Sequence, residues 1–332
     1  MRWSATLYGG PLIALAIVLP AHHGAPSLLA QQHPSTTIGA LETIQIRPNV
    51  YVVFGAGANV TVHVGDDGLI LVDSGSSDTS KALLKAVTSI SNRPIRLIIN
   101  TGADADHVGG NDAIARAGVP LTPDPFTLEP QATILAHENV LRRMSAPTGR
   151  PSPFPPTAWP TETFTSQFKS LYVNDDAVQV IRQTGAHSDS DVMVLFRKAD
   201  VVVTGDIIDL RHFPVIDRTR GGGIQRELDA LNRLLKELIV PNLPNVLKPG
   251  GTLVVPGHGY VSDYGEVVEY RDMLTVITDI IRNMIEKGMT VDQVKAADPA
   301  RGYRGRYGAG TGPWTTEMFV EAVYQSLKES TP

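Results

Sequence analysis

The sequence predicts a mixed α/β or α+β fold in which helices cover sheets, and three observations carry that expectation. Short runs rich in Val and Ile alternate with segments whose apolar residues recur at helical spacing. Glycine, proline and aspartate punctuate these runs as turns and caps do. The chain has 332 residues, 42% of them hydrophobic, enough to bury a sizeable core as one large domain or two small ones. No internal repeat and no second-domain boundary is visible.

Strand-like sequence begins at residue 41 with "IQIRPNVYVVFG" and "NVTVHVGDDGLILVDSG", in which Gly65-Asp66-Asp67-Gly68 marks a hairpin turn. The next segment, "SDTSKALLKAVTSISNRP", places Leu83, Leu84, Val87 and Ile90 at helical spacing behind a Ser or Asp cap. "IRLIIN" is a short, mostly apolar strand, and "GGNDAIARAGVP" a short helix closed by Gly118 and Pro120. Residues 145–166 hold six prolines and read as a long loop, in which Phe154 and Trp159 either line a pocket or pin the loop to the body. Strands resume in "SLYVNDDAVQVIRQTG", "DVMVLFRKADVVVTGD" and "TLVVPG". Between the last two, Leu228, Leu231, Leu234, Leu235 and Leu238 form one stripe of an amphipathic helix. Residues 264–330 are mostly helical.

The N-terminus, residues 1–30, reads as a signal peptide. Arg2 supplies the positive start, ten apolar residues run from Pro11 to Pro20, and Ala25 or Ala30 offers a cleavage point. Residues 31–40 read as a flexible leader. The expected location is therefore periplasmic or secreted; the alternative is an uncleaved N-terminal anchor. The apolar run is too short for a stable membrane span. His22, His23 and His33 fall in this segment, away from any site.

Composition narrows the chemistry. With a net charge of −5 and no basic run, a nucleic-acid partner is not expected. The chain has no cysteine, so it has no disulfide, no thiolate ligand and no cysteine nucleophile. Any transition metal must be held by His, Asp or Glu, a donor set that suits Zn, Mn or Fe. The oligomeric state is not readable, because the leucine stripe and the helical tail suit core or interface equally.

Four apolar strands end in such side chains. "IRLIIN" leads to Asp104, Asp106 and His107, "VQVIRQTGAH" to His187, "VVVTGD" to Asp206 and "TLVVPGH" to His258. Strand ends are where a rigid scaffold presents reactive groups to a common cleft. His63 and His212 fit ordinary structural roles. His137, where a helix starts in "ILAHENVLRRM", is either a cap or a substrate contact, and Trp159 is the other candidate contact. Asp189 and Asp191 of "HSDSDV" fit a turn better than a metal.

The ordered motifs "LVDSG" (71–75), "TGADADHVGGN" (101–111), "TGAHSDSD" (184–191), "TGD" (204–206) and "PGHG" (256–259) resemble those of the metallo-β-lactamase fold superfamily. The resemblance covers residues 41–265, with residues 266–332 as a helical C-terminal extension packed on the same domain. It implies an α+β fold, a four-layer αββα sandwich with metals at one edge. It further implies a metal-dependent hydrolase in which activated water attacks an ester, lactone, amide or thioester of a small-molecule substrate. Asp106, His107 and His258, bridged by Asp206, would form the second metal site. His187 would serve the first, and Asp73 would orient a ligand. The superfamily motif T-H-x-H-x-D-H departs here, because its two leading histidines are Gly102 and Asp104. Gly102 cannot ligate; Asp104 can. The expected cofactor is Zn, as one or two ions, with Mn or Fe as alternatives. Asp106 and His187 are the expected catalytic groups, the first orienting the nucleophile and the second stabilising an oxyanion. The alternative is a metal-holding, non-catalytic binding protein of the same fold.

Overall fold

The apolar runs become two sheets. The computed structural model describes residues 41–122, 130–146, 151–241 and 250–329. The expected signal segment and leader, with His22, His23 and His33, lie outside the described residues. One sheet has seven strands in chain order: β1 (Glu42–Arg47), β2 (Val50–Phe54), β3 (Val60–Gly65), β4 (Gly68–Val72), β5 (Ile95–Ile99), β6 (Thr133–His137) and β7 (Glu162–Phe164). β1 to β4 are antiparallel, and β4 to β7 are parallel. The expected hairpin joins β3 to β4, with Gly65 opposite Gly68.

The other sheet has five strands: β8 (Phe168–Val173), β9 (Asp176–Arg182), β10 (Val192–Phe196), β11 (Val201–Asp209) and β12 (Leu253–His258). Their order across the sheet is β12-β11-β10-β9-β8, and only the β11–β12 pair is parallel.

Alternation along the strands explains the layering. Leu97 and Ile99 of β5 meet Val192 and Val194 of β10 in the core between the sheets. Ile98 points the other way, onto Leu83 and Val87 of α1 (Ser80–Ile90) and Ile114 of α3 (Asn111–Arg116). Met193 and Leu195 of β10 face α5 (Ile224–Arg233), α6 (Tyr264–Glu286) and α7 (Thr316–Glu329). A strand buried on both faces reads as a nearly continuous apolar run rather than an alternating one, which is why "IRLIIN" carries a single charged residue, the half-buried Arg96. Helix, sheet, sheet, helix is the αββα sandwich. The C-terminal helices complete its outer layer, with Tyr270, Leu274, Ile277 and Phe319 in the same core as Leu228 and Leu231.

Three local features differ from expectation. Within residues 145–166, expected to be loop throughout, Glu162–Phe164 forms the edge strand β7, paired with β6. A three-residue parallel edge is too short to leave a periodic signal among prolines. The leucine helix ends at Arg233 and continues as a wider π turn over Leu234–Leu238, which still buries Leu234 and Leu235. Asp206 lies inside β11 rather than after it, at a point where the register with β12 shifts. Gly205 there has φ +55, and the irregularity turns the strand so that it carries Asp206 and Asp209 along the cleft.

Candidate metal centre

The side chains gather at one edge of the sandwich. Asp73 follows β4, and residues 101–107 follow β5 into the short helix α2 (Ala105–Val108). His187 lies in the β9–β10 turn, Asp206 on β11, and His258 ends β12. The turn after α2 is seated on the segment that follows β4. A Cβ on Gly110 would lie 2.1 Å from the Ser74 carbonyl oxygen, so only glycine permits this approach.

His107 is fixed from behind. Its Nδ1 lies 2.8 Å from Asp73 Oδ2, and Asp73 also accepts from the Thr101 amide at 2.8 Å and the Thr101 hydroxyl at 2.6 Å. Asp73 adopts φ +64, a left-handed conformation costly for a side chain other than glycine. These contacts leave His107 Nε2 facing the cleft, 3.0 Å from Asp206 Oδ1. His258 Nε2 lies 3.3 Å from the same oxygen and 3.2 Å from Asp106 Oδ2. Ligands about 2 Å from a tetrahedral ion stand roughly 3.3 Å apart. The contacts of Asp206 with both imidazoles and of His258 with Asp106 are therefore already at ligand spacing, and with the donor atoms of Asp106, His107 and His258 within 4.8 Å of one another the set fits one divalent ion.

The first set is Asp104, His187 and Asp206, whose donor atoms also lie within 4.8 Å of one another. His187 Nδ1 donates to the Val215 carbonyl at 2.7 Å, which aims Nε2 at Asp104 Oδ2, 3.1 Å away. Asp206 bridges the sets, with Oδ2 3.8 Å from His187 Nε2. Asp104 stands at the N-terminus of α2 yet makes no capping bond, so its carboxylate is turned to the cleft. There it meets Arg220, whose Nη2 donates to Oδ1 at 2.5 Å. Gly102 adds nothing: a Cβ there would find only Asp104 Oδ2, at 3.9 Å.

Charge coupling dominates the proton affinities. Burial lowers that of His187, but the hydrogen bond to Asp104 and the charges of Asp206, Asp191 and Asp104 outweigh it and raise the pKa to about 10. Burial works against Asp104 as well, yet His187 and Arg220 hold its carboxyl down to about 2. His107 is raised well above its ordinary value, despite complete burial, by Asp206 and Asp73. A divalent cation competes for the same nitrogens by displacing these protons.

Asp104, Asp106, His187, Asp206 and His258 line a cavity of about 360 Å³. It also includes Arg211, His212, Arg220, Pro313 and Trp314, none of which the sequence marked as a site residue. His212, expected to be purely structural, stands at this cavity with Nδ1 3.6 Å from Asp209 Oδ2. His63 is a core residue, 2.8 Å from the Asn49 side chain. The two candidate substrate contacts do not line the cavity. His137 is buried against Phe164 with Nδ1 accepting the Asn139 amide, and Trp159 packs with the cluster of Val108, Val140 and Met144 while donating to the Phe154 carbonyl. Each fills space beneath α4 (Glu138–Ser145). Asp191 accepts the Ser188 amide and hydroxyl, and Asp189 pairs with Arg143, so both shape the turn.

An αββα sandwich with two carboxylate–imidazole sets at one edge defines a metal-binding, hydrolase-like fold. The chain belongs to the metallo-β-lactamase superfamily, whose family model matches residues 53–271. No curated protein matches it. Among solved structures, it is similar to a double mutant of the sec-alkyl sulfatase PisA1, with 17% identity and a TM-score of 0.62 over 86% of this chain and 50% of that one. The stereoselective inverting sec-alkylsulfatase Pisa1 from Pseudomonas sp. gives 16% identity and 0.58, over 86% and 50%. A metallo-β-lactamase from Pontibacter korlensis gives 18% identity and 0.53, over 71% and 99%. The chain thus spans about half the length of the alkylsulfatase structures it matches. At these identities the likeness is one of fold.

Proposed function

We propose that the protein is an exported hydrolase that uses one divalent ion, held by Asp106, His107, His258 and Asp206, to cleave an ester, lactone, amide or thioester. The observation that supports this most directly is the convergence of two imidazole nitrogens on one Asp206 oxygen at ligand spacing. When bound, a divalent ion such as zinc, or alternatively manganese or iron, acidifies its water to a pKa of roughly 7.

The residues around it have separable tasks. Asp73 holds His107 in one orientation and one tautomer. Asp106 faces the cavity with about a third of its side chain exposed, 36%, where its carboxylate can accept a proton from the attacking water and aim it. Both ring nitrogens of His187 are engaged, by Val215 and Asp104, so the N–H groups at this cavity that can meet a substrate oxygen gaining negative charge are the further ones of the Arg220 guanidinium, which Asp104 and Asp217 hold in place. Trp314 and Pro313 give that cavity an apolar side. Two arginines at the cavity and the fold shared with alkylsulfatases make an alkyl sulfate a further ester to test. Export to the periplasm or beyond rests on Arg2 and the apolar run from Pro11 to Pro20. Among the described residues no helix is long and apolar enough to cross a membrane.

The test is metal analysis of the purified protein followed by hydrolysis of carboxylic ester, lactone, amide, thioester and alkyl sulfate substrates. The expected result is one tightly held equivalent and turnover of at least one class, lost on chelation and in His258→Ala. A folded, zinc-supplemented protein that retains no metal would sink the proposal. One bound equivalent without turnover would point to a metal-holding binding protein.

A further inference from the structure

We propose that the guanidinium of Arg220 is the resident cation of the first half-site, so that this chain is built to carry one divalent ion rather than two. The inference rests on the metal-binding reading of the second half-site and concerns what replaces its neighbour. Both oxygens of Asp104 are engaged, Oδ1 by Arg220 Nη2 at 2.5 Å and Oδ2 by His187 Nε2 at 3.1 Å. The partner a second ion would need from residue 102 is a glycine, with open space around its Cα.

Arg220 is not a surface side chain that happens to reach inward. Only 20% of it is exposed, and its Nε donates to Asp217 Oδ2 at 2.5 Å. Asp217 is itself tied down, its Oδ1 accepting the Arg220 amide at 3.0 Å and the Thr219 hydroxyl at 2.6 Å. The backbone of this loop is built onto the segment that carries His187. The Asp217 amide donates to the His187 carbonyl, the Gly223 amide to the Ala186 carbonyl, and the Asp189 amide to the Arg220 carbonyl. A Cβ on Gly222 would lie 2.1 Å from the His187 carbonyl oxygen, so the loop closes on that turn only because glycine stands there.

One framework therefore sets the positions of both His187 and Arg220 relative to Asp104. A guanidinium keeps its charge at every physiological pH and matches carboxylate oxygens with planar donors. It supplies the positive charge that Asp104 and the bridging Asp206 require, and it repels a second cation approaching Asp104.

The test is zinc stoichiometry and affinity on the full chain, by calorimetry and elemental analysis, with circular dichroism as the folding check. The wild type is expected to bind one equivalent, and Asp104→Asn to remain at one. Arg220→Ala is expected to gain a second equivalent at least tenfold tighter than any second binding in the wild type. Gly102→His is expected to stay at one alone and to reach two, more tightly, when combined with Arg220→Ala. Two tight equivalents in the wild type, or a folded Gly102→His/Arg220→Ala protein still limited to one, would overturn the inference while leaving the second site intact. Failure of the wild type to bind any zinc would instead remove the reading on which it rests.

Discussion

The two halves of the site use their carboxylates in opposite ways. In the second half, Asp106 and Asp206 stand opposite imidazole nitrogens at 3.0–3.3 Å, and Asp106 keeps an open face to the cavity. In the first half, Asp104 lies between an imidazole and a guanidinium, with a hydrogen bond to each of its oxygens. Both halves sit at the same edge of the sandwich and share Asp206, so the backbone is not what separates them. The difference lies in one absent side chain, Gly102, and one present cation, Arg220. A metal site can thus lose a ligand without becoming a gap, provided the local charge is still balanced.

The sharpest way to break this comparison is to remove the residue both halves share. Asp206 places Oδ1 against His107 and His258 and Oδ2 toward His187. Asp206→Ala is expected to weaken zinc binding more than about 100-fold, beyond the roughly 10–100-fold typical of a hydrogen-bond partner to a ligand, and to abolish hydrolysis. Asp73→Asn tests the second half alone. It removes the charge behind His107 and is expected to weaken zinc binding by about 10–100-fold, with no change in how Asp104 and Arg220 pair. Equal zinc affinity in Asp73→Asn and the wild type would show that His107 is held by packing instead.

The second half was far more legible in the sequence than the first. Its ligands follow runs such as "IRLIIN" and "TLVVPG", whose largely apolar character marks strands buried on both faces and so locates their ends. Arg220 gave no such signal. It lies 116 residues from Asp104, in the glycine-rich stretch "RTRGGG". The only hint was the glycine run itself, and its meaning, close approach to the His187 backbone, is a tertiary fact. Trp314 was hidden likewise in a Gly-rich link between helices, "GAGTGPWT", that folds back to the cavity. For His137 and Trp159 the sequence left a cap or a pinning role open beside substrate contact, and the fold decides for the former, with His137 accepting the Asn139 amide and Trp159 packed with Val140 and Met144.

A third test probes what lies behind the first half. Glu227 of α5 is fully buried, and neither of its carboxyl oxygens has a hydrogen-bond partner among the described residues. Burial, reinforced by the charge of Asp191, raises its pKa well above 4.5. The folded protein therefore keeps this proton after the unfolded chain has lost it. Stability from this group is fully present below pH 4.5 and declines as pH rises toward the folded pKa. Glu227→Gln does not titrate, so its advantage over the wild type should grow by about 1.4 kcal/mol per pH unit across that window. Urea unfolding at pH 5 and pH 6 reads this directly. A stability difference independent of pH would mean that Glu227 is compensated in the folded state.

The smallest expected effect concerns Arg211, the other arginine at the cavity. Its Nη2 donates to His258 Nδ1, and a nitrogen that accepts this bond carries no proton. An imidazole that coordinates through Nε2 carries its proton on Nδ1, so the Arg211 contact and ligation by His258 are alternatives. About half of the Arg211 side chain is exposed, 51%, so it is free to turn away at modest cost. Arg211→Ala should therefore tighten zinc binding, by about two- to tenfold, the range of one net hydrogen bond. Arg220 acts in the opposite sense on the opposite half, standing where an ion would go rather than competing for a ligand's proton. Zinc titration of the two single variants separates these roles: Arg211→Ala should change only the affinity of the first equivalent, and Arg220→Ala only the appearance of a second. If Arg211→Ala weakened the first equivalent instead, Arg211 would be holding His258 in place for the metal rather than competing with it.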